Sequence, residues 1–531
     1  MDCHKVVAGD GDSLAVRSEV VGRGFPPAGD AEGLPPAAGR WRRELIDQAD
    51  RLCRHRLDLF DLEDHDLGSE IDWNYEYKAR KKTPMRFAPA IDYRSYAETG
   101  DCKFVWELNR HQHWVVLARA YRLTGDHRYA AAVVRQLDSW IRQCPYGLGM
   151  NWRSPLELGI RLINWVWALE LIRPCGLLTR DLRRRVLGVV YRHLWDVSRT
   201  YSRFSSANNH LIGEAAGVFI ASSYFTALKD APTWQKQSRE ILSTEIVAQT
   251  WPDGGNREQA MGYHLFGLEM FLLAGLAARN MGEDFPSGYW DFLERMFEFL
   301  AAFTEGGDAL PMFGDCDDGY VLDLDGRANH VRGLLAVGAA VFGRGDFKAL
   351  SGGCGERVFW LLGPAAFKEY EGMGADGAGE PLPSRAFADT GYYLLQSGHR
   401  NGRDRISVTF DCGELGFGAI AAHGHADALS FTLRAFGAEV IVDPGTYDYF
   451  TYGRWRDYFR STRAHNTVVV DGRDQSEMLG PFLWGRRAGA RCLRWESGED
   501  GGTVVGEHDG YADLFEPVVH RRTIKLEGHR N

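Results

Sequence analysis

Between residues 103 and 367 apolar side chains return every three or four positions. After the glycine-rich stretch 372–379 they recur in short runs that read as strands. A chain that changes period in this way must build a helical domain first and a β-domain second. FVWELNRHQHWVVLARAYRLTG predicts a helix closed by glycine, DHRYAAAVVRQLDSWIRQCP one stopped at Pro145, and LELGIRLINWVWALELIRP one stopped at Pro174. More helices are expected at about 181–200, 208–228, 233–248, 256–281, 288–304, 327–343 and 346–362. Paired helices with short loops predict an (α/α) toroid or solenoid, although no strict repeat is visible. The strands TGYYLLQSG, DRISVTFDCG, WGRRAGARCLRWES, TVVGEHDGY and VVHRRTIKLEG predict an antiparallel, β-sandwich-like domain. The fold class is therefore α+β and multidomain. Its expected parts are a flexible tail at 1–39, a toroid at 40–370, a linker at 371–384 and a β-domain at 385–531. The last strand runs almost to Asn531, and a sandwich wants more strands, so a truncated chain is expected.

At 531 residues the chain exceeds one ordinary core. A net charge of −10 argues against a nucleic-acid partner, and it requires any anionic substrate to meet a locally basic groove. Sixteen Trp and 21 Tyr suit sugar stacking or a large helical core. Nine Cys without CxxC spacing give no disulfide framework and lean towards a reducing compartment. The N-terminus lacks the apolar core of a signal peptide, and no run approaches transmembrane length. The expectation is a cytoplasmic protein, or a periplasmic one if the start is misassigned.

Within the β-domain the stretch 421–471 concentrates polar groups. The apolar runs 428–436 and 439–442 read as neighbouring strands turning at Phe436 and Gly437, with a third strand over 467–470. His423 and His425 are two apart, so on an extended backbone both leave the same face. Asp443 ends the second strand and His465 begins the third. A cluster of His423, His425, Asp443 and His465 beside Arg454, Arg456, Arg460 and Arg463 is hard to explain as packing. Each of these groups needs a hydrogen-bonding or metal partner.

The helical domain offers further candidates. Asn209 and His210 follow the loop SRFSSAN at a helix start, where an amide or imidazole can donate to a carboxylate. Asn208 fits a helix cap, and Glu214 shares a face with His210. Asn151, Trp152 and Arg153 bring an amide, a ring and a cation to one turn, as a sugar subsite would. Glu157 and Arg161 follow as an i, i+4 pair. Glu107, Asn109, Arg110 and His111 read as further groove residues. Trp251, Asp253, Asn256 and Glu258 flank Tyr263, itself either a core aromatic or an acid–base group.

The motifs HGHADALSF, VDPGTY, WRDYFRSTRAHNTVVVDG and DQSE resemble the β-domain of heparinase II/III-type polysaccharide lyases. The segments DCKFVWELNRHQHWVVLARAYRLTGDHRYA, GMNWRSPLELGIRLINWVWAL, SANNHLIGEAAG and DGGNREQAMGYHLFGLEMF resemble the helical domain of the same family. The resemblance covers about residues 41–531. It implies β-elimination on a uronate-containing acidic polysaccharide or oligosaccharide. Tyr263 is then the base or acid, His423 its partner and Asn209 the carboxylate neutraliser, with His210 next to it. Asn151, Trp152, Arg153, Glu157, Glu214, Glu258 and Arg460 are the expected substrate contacts. The resemblance also implies that His425, Asp443 and His465 bind the structural zinc of some members, with no other cofactor. No nucleic acid or membrane segment is expected, and the oligomeric state is left open. The competing readings are a glycoside hydrolase on an α/α toroid, working with two of Glu107, Glu157, Glu214, Asp253 and Glu258, and a non-catalytic polysaccharide-binding protein.

Overall fold

The structure, a computed structural model, describes residues 15–22, 24–30, 38–304, 310–377, 380–400, 402–498 and 500–528. Four helices form an inner row: Gln112–Thr124, Pro155–Ile172, Asn209–Tyr224 and Met261–Asn280, each packed on the next. They are apolar nearly all round and buried along almost their whole length, as such helices must be. The helices that follow them, His127–Gln143, Arg180–Thr200, Ala231–Ala248 and Ser287–Phe303, bury one face and wet the other. This inner and outer alternation is the α/α toroid.

Glycine lets two inner helices approach closely. A Cβ on Gly159 would lie 2.6 Å from the Gly213 carbonyl oxygen, and one on Gly217 would lie 2.3 Å from that of Gly159. The contact sets the start of Pro155–Ile172, with Glu157, beside the start of Asn209–Tyr224.

Several expectations are corrected. The helix expected from residue 103 is two helices, Cys102–Asn109 and Gln112–Thr124, because His111 adopts a left-handed backbone (φ 64°). The helix expected at 346–362 is likewise split into Gly345–Ser351 and Glu356–Gly372 by the positive φ of Gly352 and Gly353. The described part of the expected tail packs: Ser18–Val20 forms a helical turn, and Val20 and Val21 join the helical core. Residues 1–14, 23 and 31–37 of that tail lie outside the described residues. Met261–Asn280 is long and apolar enough to cross a membrane, contrary to the reading of the sequence, yet 89% of its apolar window is buried inside the protein.

The β-domain opens with a five-stranded antiparallel meander in chain order: Arg385–Phe387, Tyr392–Ser397, Ile406–Asp411, Phe431–Ala435 and Ala438–Ile441. The last two strands turn at Phe436 and Gly437, both with positive φ, as expected. A second sheet, Ala490–Ser497, Gly501–Tyr511 and Val518–Glu527, lays Val504, Trp495, Ile524 and Leu526 on Leu395, Val408 and Phe410 of the first. Two strand expectations fail. Residues 467–470 form no strand beyond a single bridge from Val470 to Arg473, and His423 and His425 sit in a loop. That loop is tight enough to demand glycine between them: a Cβ on Gly424 would fall 1.5 Å from the Leu415 carbonyl oxygen.

The domains are clamped together. Phe299, Phe303, Phe313 and Met261 pack on Phe387, Tyr392 and Leu394. The Asp253 carboxylate accepts from the backbone N–H groups of Asp389 and Thr390 (2.8 and 2.9 Å), an interface role rather than a groove role.

Candidate active site

A cavity of about 370 Å³ lies between the domains, lined by Tyr93, Lys103, Glu107, Arg110, Arg153, Glu157, Asn209, His210, Tyr263, Asp317, His423 and Tyr449, among others. Residues more than 300 positions apart in the chain therefore share one groove. All four expected chemical residues line it.

Asn208 caps the helix Asn209–Tyr224, its side-chain oxygen accepting from His210 N–H at 3.1 Å. That fixes the register: Asn209 and His210 open the helix. Asn209 donates from its backbone N–H and its Nδ2 to the Glu258 carboxylate at 3.0 to 3.1 Å. Glu258 is buried by this clamp and lies 3.6 Å from His423 Nε2, so it holds catalytic candidates rather than presenting itself to solvent. Burial raises its carboxyl above the ordinary carboxylate range, with His423 pulling the other way. His210 is held neutral, its pKa lowered to about 4 by burial and then by His423.

Tyr263 stands in the first turn of Met261–Asn280, a buried helix that fixes its ring. Its hydroxyl lies 3.0 Å from that of Tyr449, and its ring stacks on His423 with centroids 3.8 Å apart. Burial pushes the phenol well above its ordinary pKa, and the nearby Asp317, Asp315 and Glu258 add to the effect. In the resting groove Tyr263 is thus a protonated phenol, a proton donor. His423 Nδ1 is 3.0 Å from Asp315.

The groove has a cationic rim. Arg153 donates to the Ile91 carbonyl (3.0 Å) and lies over the Tyr93 ring, and Lys103 lies over the Tyr449 ring. Two of its carboxylates are already paired: Glu157 is bidentate with Arg110 (2.8 and 2.9 Å), and Glu107 is paired with Arg110 and Arg327.

Several expected contacts are structural instead. Asn151 donates to Trp73 O and Asn74, and Trp152 donates to Cys144 O while packing on His193. Both are buried away from the groove because they cross-link the loop they occupy. Arg161 serves the carbonyls of Asn109 and Asn151. Asn109 bonds Trp73 O and Trp140, and His111 stacks on Trp114. Glu214 accepts from Ser202 N–H and Oγ (2.6 and 2.7 Å), so it does not orient His210. Arg460 is fully buried, donating to Gly480 O and Asp457 against the Trp484 ring. Asn256 accepts from Glu258 N–H, and Trp251 does not line the groove. No local pattern marks Asp315, Asp317, Lys103 or Tyr449, which reach the site only through tertiary packing.

A second carboxylate, Asp427, stands beside the expected metal set of His425, Asp443 and His465. His425, Asp427 and His465 offer ligand atoms within 4.8 Å of one another. Asp443, expected as the ligand carboxylate, has its Oδ2 3.1 Å from His465 Nδ1, the place of an orienting partner. His425 Nδ1 and His465 Nε2 are buried and lack hydrogen-bond partners. Two orphaned ring nitrogens and a carboxylate fit a zinc ion.

Residues 44–325 match the family model described as "Heparinase II/III N-terminus", and residues 379–530 match "Heparinase II/III-like, C-terminal". A heparin-sulfate lyase of Pedobacter heparinus is 26% identical over 430 residues, covering 79% of this chain and 58% of that protein. A heparin-sulfate lyase of Bacteroides stercoris is 26% identical over 468 residues, covering 83% of this chain and 62% of that one. The chain thus spans less than two thirds of these relatives. A crystal structure of heparinase III superposes with a TM-score of 0.64 at 20% identity, covering 91% of this chain and 68% of that chain, and shows the fold.

Proposed function

The chain belongs to the heparinase II/III family, and on that premise we propose that it is a polysaccharide lyase cleaving a uronate-containing polymer by β-elimination. The observation that carries this reading is the stacked pair of Tyr263 and His423, one from each domain, in a groove with a cationic rim. His423 takes the C5 proton at Nε2, the C4–O4 bond breaks as the C4–C5 double bond forms, and Tyr263 gives its phenolic proton to the departing O4. To act, Asn209 turns an amide N–H from Glu258 to the C5 carboxylate and makes that proton acidic. Lys103 and Arg153 hold the polymer's anionic groups.

Heparin-sulfate lyases are what the relatives are called, so a heparan-type polymer is the first substrate to try. The paired state of Glu107 and Glu157, with Glu214 and Asp253 outside the groove, speaks against a two-carboxylate hydrolase. His425, Asp427 and His465 would hold a structural zinc, which supplies no step of the elimination and pins the loop carrying His423.

The test is a panel of acidic polysaccharides read by ultraviolet absorbance of the unsaturated uronate. Absorbance that rises with cleavage is expected. Saturated reducing ends without absorbance would replace the lyase by a hydrolase.

A further inference from the structure

Asp315 belongs to the helical domain, follows the helix Ser287–Phe303 and has no exposed surface. Its two carboxylate oxygens gather groups from the β-domain. Oδ2 is 3.0 Å from His423 Nδ1, and Oδ1 is 3.0 Å from His425 Nε2. Arg456 donates to both oxygens, the bond to Oδ2 being 2.7 Å, and Thr446 Oγ1 donates to Oδ1 at 3.1 Å. The backbone joins in: Asp315 N–H donates to the His423 carbonyl at 2.9 Å. A guanidinium that is always charged thus grips both oxygens of this buried acid, the pairing of a carboxylate.

An ionised carboxylate only accepts hydrogen bonds. Each ring nitrogen facing it must carry a proton, yet the two histidines face it with different nitrogens. We propose that Asp315 is a positioning residue that fixes opposite tautomers on neighbouring histidines, Nδ1–H on His423 and Nε2–H on His425. In its neutral form His423, which lines the groove, then keeps an unprotonated Nε2, 3.6 Å from Glu258 Oε2. His425 turns an unprotonated Nδ1, the orphaned buried atom, towards His465 and Asp427. One carboxylate thereby sets the lone pair of a proton acceptor and that of a metal ligand. It does so from the opposite domain, so both settings depend on the domains being docked. The use of His423 Nε2 as a base rests on the lyase reading; the tautomers do not.

The test starts with unsubstituted full-length protein labelled with ¹⁵N in histidine, read by two-bond ¹H–¹⁵N correlation at a pH where the rings are neutral. His423→Gln and His425→Gln serve only to assign the signals. The expected result is the Nδ1–H pattern for His423 and the Nε2–H pattern for His425. The reverse pattern on either ring, or averaged tautomers on both, overturns the proposal. Asp315→Asn then adds the kinetic arm. An amide must turn N–H against one of the rings, so at least one tautomer signature should change. Turnover on the active polymer should fall about 100-fold or more with KM little altered. An Asp315→Asn protein with native signatures and near-normal kcat overturns the proposal. If the variant does not fold, or no polymer yields unsaturated product, the tautomers of the unsubstituted protein still decide it.

Discussion

Tyr263 and His423 lie ring on ring across the domain boundary, centroids 3.8 Å apart and planes 24° apart. Neither domain alone holds the pair, so docking itself assembles the proposed acid–base couple. Tyr263→Phe removes one hydroxyl and keeps the stack. Turnover should fall by about 10²–10⁴-fold, with the thermal melt and substrate affinity nearly unchanged. Near-normal turnover in the folded variant would remove Tyr263 from the mechanism.

Asn209 and Glu258 form a buried couple, the amide nitrogen donating to both carboxylate oxygens. Asn209→Ala leaves the carboxylate without its side-chain donor, which costs about 1–3 kcal/mol. Glu258→Ala leaves the amide unpaired in turn. The double variant should therefore lose less stability than the two singles added together. Denaturant melts of the three variants measure this, and simple additivity would show that the clamp carries no energy. Turnover of Asn209→Ala should fall further than its stability loss accounts for.

The metal cluster separates two kinds of carboxylate. If His425, Asp427 and His465 bind zinc, the purified protein should carry about one equivalent. His465→Ala and Asp427→Asn should lose it, with a fall in melting temperature. Asp443→Asn, which alters the partner of His465 Nδ1, should keep the metal with affinity weakened about 10–100-fold. Metal analysis and a chelator titration read all three.

Glu214 is buried under the Ser202 turn, and burial raises its carboxyl to about 7. Between the unfolded value near 4.5 and about 7, the unfolded chain releases this proton and the folded chain keeps it. Stability therefore falls as pH rises through that window and levels off above it. At ~1.4 kcal/mol per pH unit the whole effect is on the order of 3 kcal/mol. Glu214→Gln stays neutral, so its melting temperature should match the unsubstituted protein near pH 4 and exceed it at pH 8. Parallel curves across the range would refute the assignment.

The sequence by itself determined the two-domain order, since helical and strand periods are local properties of consecutive residues. It also placed Asn208, Asn209 and His210 at a helix start, while the register, with Asn208 as the cap, came from the structure. The motifs around Tyr263 and His423 were legible for the same reason. Tertiary structure decided what each polar residue does. Trp152 and Asn151 look like a sugar subsite in sequence and prove to be loop cross-links. Glu258 looks like a substrate contact and proves to be a clamp on Asn209. Asp315, 108 residues before His423, has no local signal at all, yet it meets two histidines and an arginine. His425 and His465 meet Asp427 as well as the expected Asp443 only once the loops have packed. Local periodicity fixes elements, whereas hydrogen-bond partners are set by distances that exist only once the domains have packed.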